Sequence, residues 1–176
     1  WLSKAEIMKI PVLGWMMRLA RDIPLERGDT TSGRAALDQA RERLATKVSV
    51  MIFPEGTRSK TGEMRKFRAG AFKLAIEGQH PILPIAVHGT RDCLRKNDWR
   101  LGRATAEVRV LEPISTEGMT NDDLPALRAQ VSAAIEAGRQ ALRDEHGYVP
   151  PVYPAAEALS AEARDAQASG SYKDPN

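Results

Sequence analysis

Seven consecutive residues, Phe53-Pro-Glu-Gly-Thr-Arg-Ser59, gather a carboxylate, a guanidinium and two hydroxyls around one glycine. They follow Val48-Ser-Val-Met-Ile-Phe53, an apolar run rich in β-branched residues that reads as a buried strand cut off by Pro54. A strand end followed by a Pro/Gly turn is where α/β proteins place ligand contacts, because backbone N–H groups open there and side chains reach the sheet rim. Gly56 lets the backbone approach a ligand closely, Arg58 offers a bidentate fork for a phosphate, and Thr57 and Ser59 add hydroxyls. Glu55 repels a phosphate, so it suits a substrate hydroxyl or a neighbouring Arg. The same residues also fit a solvent loop in which Glu55 and Arg58 pair on the surface, an interaction worth under about 1 kcal/mol.

Other chemistries fit less well. Counted from Gly56, the G-x-x-x-x-G-K-[ST] loop of nucleotide-binding proteins needs Gly at 61 and Lys at 62, where Thr61 and Gly62 stand. His80, His88 and His146 are scattered without metal-ligand spacing, so no metal site is expected. His88 has Asp92 four residues later but closes an expected strand and reads as a strand-end histidine. Cys93, the single cysteine, allows no intrachain disulfide, which is consistent with a reducing compartment, and reads as an ordinary free thiol.

The elements around the turn follow from periodicity and caps. Asp22-Ile-Pro-Leu-Glu26 is short enough to be a strand, and Arg27-Gly-Asp29 turns out of it. Thr30, Thr31 and Ser32 offer an N-cap for a helix over 33–46 with Leu37, Ala40 and Leu44 on one face. A helix over 69–77 stops at Gly78, and Ile82-Leu-Pro-Ile-Ala-Val87 is a second buried-strand candidate whose Pro84 suggests an edge or bulge. In 106–111, Val108 and Val110 alternate with Glu107 and Arg109 as in a half-buried strand. Asn121-Asp-Asp opens a long helix to Glu145 whose stripe is Leu124, Leu127, Val131, Ile135 and Leu142. Strands alternating with helices predict a layered α/β domain over 1–147, with a mixed sheet flanked by helices; 148–176, Pro-rich and then Ala- and Ser-rich, reads as a loosely ordered tail.

Composition narrows the partners. The 176 residues carry 26 Lys and Arg against 23 Asp and Glu, and 42% are hydrophobic, which excludes a disordered chain, a collagen and a disulfide scaffold. Basic residues concentrate in 1–110, so an anionic ligand or surface should meet that part. Three each of Trp, Tyr and Phe, without alternation with Lys or Arg, make a nucleic-acid stacking platform the lowest-ranked reading. No apolar run is long enough to span a bilayer. Residues 7–20, with nine large apolar side chains beside Lys9 and Arg18, fit either a headgroup interface or a helical pair packed on a core. The chain begins at Trp1 with neither an initiator Met nor a signal-peptide pattern and is read as a fragment.

The order of these segments resembles the acylglycerolphosphate acyltransferase family. Lys4-Ala-Glu6 with Ile10-Pro-Val-Leu-Gly14 is similar to its Lys/Glu stretch and Pro-x-x-Gly helix, and Ile23-Pro-Leu-Glu-Arg27 to its arginine motif. Phe53 to Ser59 matches its Phe-Pro-Glu-Gly-Thr-Arg-Ser block residue for residue, and 82–87 is similar to its proline-containing strand. The resemblance implies a glycerolphosphate-acyltransferase-like fold and transfer of a fatty acyl group to 1-acylglycerol 3-phosphate, giving phosphatidic acid. It implies an acyl-CoA or acyl-carrier-protein donor, no further cofactor, a lysophospholipid acceptor, and a peripheral place on the cytoplasmic face of the membrane. It assigns acceptor binding to Arg27, Glu55, Gly56, Thr57 and Arg58, with Lys4 as a further phosphate contact. The family's catalytic His-x-x-x-x-Asp occurs nowhere in these residues. The chain alone is therefore expected to be inactive, its motif encoded upstream. A non-catalytic phospholipid-binding module is the alternative reading.

Overall fold

The computed structural model describes residues 1–26, 29–59, 62–93 and 102–147. β1 (Leu2–Lys4) runs through a 3-10 turn (Ala5–Lys9) and α1 (Leu13–Leu19) into β2 (Ile23–Leu25). α2 (Thr30–Ala45), α3 (Gly70–Glu77), β3 (Ile85–His88), α4 (Thr90–Cys93), β4 (Glu107–Val110) and α5 (Leu124–Glu145) follow. The α/β class is the expected one. Among the described residues its strands form one parallel pair, with Leu2 opposite Ile23 and Lys4 opposite Leu25, and one antiparallel pair, with Ile85 opposite Val110 and His88 opposite Glu107. A parallel pair needs a crossover, and the 3-10 turn with α1 supplies it.

The helices start where their caps dictate. Asp29, rather than the three hydroxyl residues after it, caps α2: its carboxylate accepts the Thr31 N–H at 2.8 Å. Ser32 instead accepts the Glu26 N–H at 2.8 Å and so ties β2 to the helix. Ala36 and Ala40 are buried against Ile23 and Leu74, because only small side chains let α2 lie this close. α5 is preceded by a 3-10 turn (Asn121–Asp123) with a capping box between Thr120 and Asp123. The Thr120 backbone and hydroxyl bonds hold the Asp123 carboxyl below its ordinary value.

The apolar stripe of α5 falls as its spacing predicts. Leu127, Val131 and Leu142 are buried, and Leu127 and Val131 pack with Phe67, Phe72 and Ile76, each such side chain being worth about 1.5–3 kcal/mol. α5 also crosses β3 at Gly138, where a Cβ would stand 2.9 Å from Ala86 Cβ and 3.1 Å from a Leu111 methyl. A glycine permits that crossing.

Two expectations are corrected. Residues 48–53 form no strand, and one of their backbone contacts to β1 is the Leu2 N–H on the Met51 carbonyl at 3.1 Å. Val50 and Ile52 pack inward while Val48, Met51 and Phe53 stay exposed, so the run is buried on one side only. In β4, Val108 and Val110 are 64% and 60% exposed, whereas Glu107 and Arg109 share the strand face of Ala86, which lies under α5. Arg109 donates to both oxygens of Glu145, at 2.9 and 2.5 Å, and this holds the Glu145 carboxyl below its usual range. Glu107 engages His146. Alternation tells which residues share a face; the helix decides which face is covered. Pro84 is buried just before β3, its carbonyl accepting the Leu111 N–H at 3.0 Å, so its missing donor costs the ladder nothing. The tail expected over 148–176 lies outside the described residues.

Candidate functional site

The turn after Phe53 is built by backbone bonds that the sequence requires at each step. The Gly56 N–H donates to the Phe53 carbonyl at 3.0 Å, and Gly56 adopts φ +70°, a conformation that favours glycine. The space a Cβ would take is filled by Arg68, whose Nε lies 2.6 Å from that point. The loop returns on itself: the Arg65 N–H donates to a Glu55 carboxylate oxygen at 2.9 Å, and the Arg68 N–H to the Pro54 carbonyl at 2.8 Å. Glu55 therefore has a backbone partner, where its type suggested a substrate hydroxyl or an Arg side chain. Arg58 is exposed, Glu55, Gly56 and Thr57 are half-buried, and Arg65, Lys66 and Arg68 are exposed on the return limb. The Ser59 hydroxyl accepts the Gly62 N–H at 3.1 Å. The turn thus presents Arg58, Arg65, Lys66 and Arg68 as exposed cations around one glycine, a chemistry able to hold an anion.

Of the remaining expected contacts, only Lys4 is among the described residues. Lys4 ends β1, with its ammonium on the Glu6 carboxylate, an exposed pair of the weak surface kind that an incoming anion can displace. Arg27 stands two residues after Leu25, the residue opposite Lys4 in the parallel register, and lies outside the described residues. The link between β1 and the turn runs through the Trp1 and Phe53 rings, edge to face at 6.2 Å. Sequence reasoning missed the Arg65 amide as the partner of Glu55 and the seat of Arg68 on Gly56. The signal for the second was present, a glycine needing positive φ with a run of cations returning behind it. His88 ends β3 as expected, and the exposed Cys93 ends α4. Among the described residues, no three of His, Cys, Asp and Glu cluster as a metal site.

Beside this site lies an apolar surface. Ile10, Val12, Leu13, Trp15, Met16 and Leu19 are exposed, while Gly14 and Met17 turn inward. A cleft of about 540 Å³ opens among Trp1, Leu13, Met16, Met17, Ile23 and Val48, with Arg21 and Arg43 also on its wall. No helix among the described residues is long and apolar enough to cross a membrane.

Residues 1–88 match the model of the family described as Acyltransferase. The chain belongs to that family. It is similar to human 1-acyl-sn-glycerol-3-phosphate acyltransferase alpha, at 37% identity over 131 residues, which are 74% of this chain and 46% of that protein. It is likewise similar to the 1-acyl-sn-glycerol-3-phosphate acyltransferase of Saccharomyces cerevisiae, at 36% over 125 residues, 69% of this chain and 41% of that one. The crystal structure of the 1-acyl-sn-glycerophosphate (LPA) acyltransferase PlsC from Thermotoga maritima superposes with a TM-score of 0.69 at 28% identity, covering 81% of this chain and 56% of that chain. The chain spans about half the length of the curated relatives it matches. Lys4 and the Glu55–Arg58 turn fall inside the acyltransferase-matched residues, whereas β4 and α5 lie beyond them.

Proposed function

We propose that residues 1–147 form the acceptor-binding and membrane-facing part of a 1-acylglycerol-3-phosphate O-acyltransferase. The whole enzyme passes an acyl group from an acyl-CoA or acyl-carrier-protein thioester to the free hydroxyl of 1-acylglycerol 3-phosphate, yielding phosphatidic acid. The observation that carries this reading is the ordered Glu55–Arg58 turn, its glycine backed by Arg68, in a chain of this family. In it Arg58 binds the acceptor phosphate, joined by Arg27 and Lys4, while Gly56 and Thr57 allow and orient the close approach. Glu55 acts by holding the turn on the Arg65 amide.

An alcohol attacks a thioester slowly unless a positioned base takes its proton, a contribution of typically ~10²–10⁴-fold. These residues contain no His with an Asp five positions on. The base is thus assigned to residues outside this sequence, and the chain alone should bind acceptor without turnover. Exposed apolar side chains of 10–19, flanked by Lys9, Arg18 and Arg21, rest on the lipid surface where the acceptor resides, at the cytoplasmic face.

Calorimetric binding of a short-chain 1-acylglycerol 3-phosphate tests the phosphate role. Arg58→Ala should weaken binding by about 10- to 100-fold, the worth of a hydrogen bond to a charged group. Unchanged affinity would overturn the assignment. Acyl transfer should appear when the chain is extended with a segment carrying His-x-x-x-x-Asp; its absence there would favour a non-catalytic binding module.

A further inference from the structure

We infer that Arg139, on α5, is a positioning residue for the Arg58 turn, an inference that rests on the acceptor-binding reading above. The return loop from Pro54 to Arg68 is closed at its base by the Arg65–Glu55 and Arg68–Pro54 bonds. Its far end is Gly62, at φ +88°, whose N–H is bound to the Ser59 hydroxyl, one residue beyond Arg58. There Arg139 Nη2 donates to the Gly62 carbonyl at 2.9 Å, across 77 residues of chain. The other terminal nitrogen, Nη1, donates to Glu136 at 2.7 Å, and Glu136 also holds Arg143 at 3.3 Å.

The Arg139 side chain is 18% exposed, so its charge is largely withdrawn from water while bonded to the loop. A charge-assisted bond in such a setting is stronger than a neutral surface one. A second guanidinium, that of Arg91, abuts the same glycine. Gly62 is thus fixed on both of its backbone polar groups, and through Ser59 this limits where Arg58 can stand. A guanidinium must be oriented for a bidentate grip on phosphate, and that orientation depends on a helix outside the family-matched residues.

The test uses the full chain, as parent, Arg139→Gln, Arg58→Ala and the double variant. The first measurement is amide hydrogen exchange. In Arg139→Gln the amides of Gly62, Arg65 and Arg68 should exchange faster while those of α3 hold. Glu136→Gln, which keeps the guanidinium but loosens it, should move the same amides by less. No acceleration in either variant overturns the clamp, whatever the ligand data show.

The second measurement is calorimetric affinity for a short-chain 1-acylglycerol 3-phosphate. Arg139→Gln should weaken it by about 3- to 30-fold, in the range of couplings transmitted through packed networks, and by nothing further once Arg58 is Ala. Equal weakening in both backgrounds would mark a general structural role and overturn positioning. If Arg58→Ala itself leaves affinity unchanged, the phosphate reading fails, and the exchange data alone decide whether the clamp exists.

Discussion

In α5, Leu127, Val131 and Leu142 are buried, the first two against Phe67, Phe72 and Ile76; in α1 and the turn before it, Val12, Trp15, Met16 and Leu19 stand in solvent at 70, 72, 60 and 81% exposure. Both segments are helical and rich in apolar side chains, but what holds them differs. α5 is held by its apolar stripe. α1 is held chiefly by backbone: Gly14 lies so close to the Met8 carbonyl that a Cβ would stand 2.0 Å from it, and the Asp22 N–H closes on the Met17 carbonyl at 2.9 Å. Asp22 in turn takes the Ser3 hydroxyl at 3.0 Å. The large apolar side chains of α1 other than the buried Met17 are therefore free of structural duty, and a contiguous exposed patch of this kind marks a surface for something outside the chain.

The largest expected difference is in stability. Leu127→Ala should cost about 2–5 kcal/mol through lost burial and a cavity, whereas Leu19→Ala should fall within about 0.5 kcal/mol of the parent. Urea unfolding of both variants measures this directly, and similar losses would erase the distinction between the two helices. The next effect has the opposite pattern. Leu19→Ala should weaken partition into anionic phospholipid vesicles by about 10-fold, near the lower end of the transfer energy of a large apolar side chain. Leu83→Ala, an exposed site ahead of β3 rather than on α1, should leave partition unchanged; equal losses would place the lipid contact elsewhere.

The smallest effect concerns the start of α5. Because the Asp123 carboxyl titrates below its ordinary value in the fold, its contribution is complete above the unfolded carboxylate pKa and disappears as pH falls through the depressed value. Asp123→Asn should then be less stable than the parent at neutral pH and match it once the carboxyl of the parent is protonated. Urea midpoints followed from neutral to strongly acidic pH check this; a gap that persists in acid would show that the capping box acts through something other than the charge.

Much of this organisation was legible beforehand for local reasons. The helix over 69–77, the stop at Gly78 and the stripe of α5 follow from spacing and caps, which act within a turn or two of chain. The Glu55–Arg58 turn was legible because Pro54 fixes its own φ and Gly56 permits the positive φ the turn needs, whatever surrounds them. Burial was less so. Residues 48–53 have the composition of a buried strand but meet apolar partners on one side only, and the alternation in β4 is the same whichever face α5 covers. Arg139 carried no signal at all, since a helical Arg reads as solvated until its partner 77 residues away is known.

The residues themselves determined the α/β class, the cationic and glycine-bearing make-up of the turn and the amphipathic stripe of α5, because each depends on short-range sterics and on the chemistry of side-chain types. Tertiary structure alone decided that Glu55 serves a backbone amide, that the valines of β4 face outward, that α1 buries Met17 but keeps its other large apolar side chains in solvent, and that α5 reaches the loop of the site. Those outcomes depend on which surfaces meet, and contacts between residues far apart in the chain leave no periodicity in sequence to read.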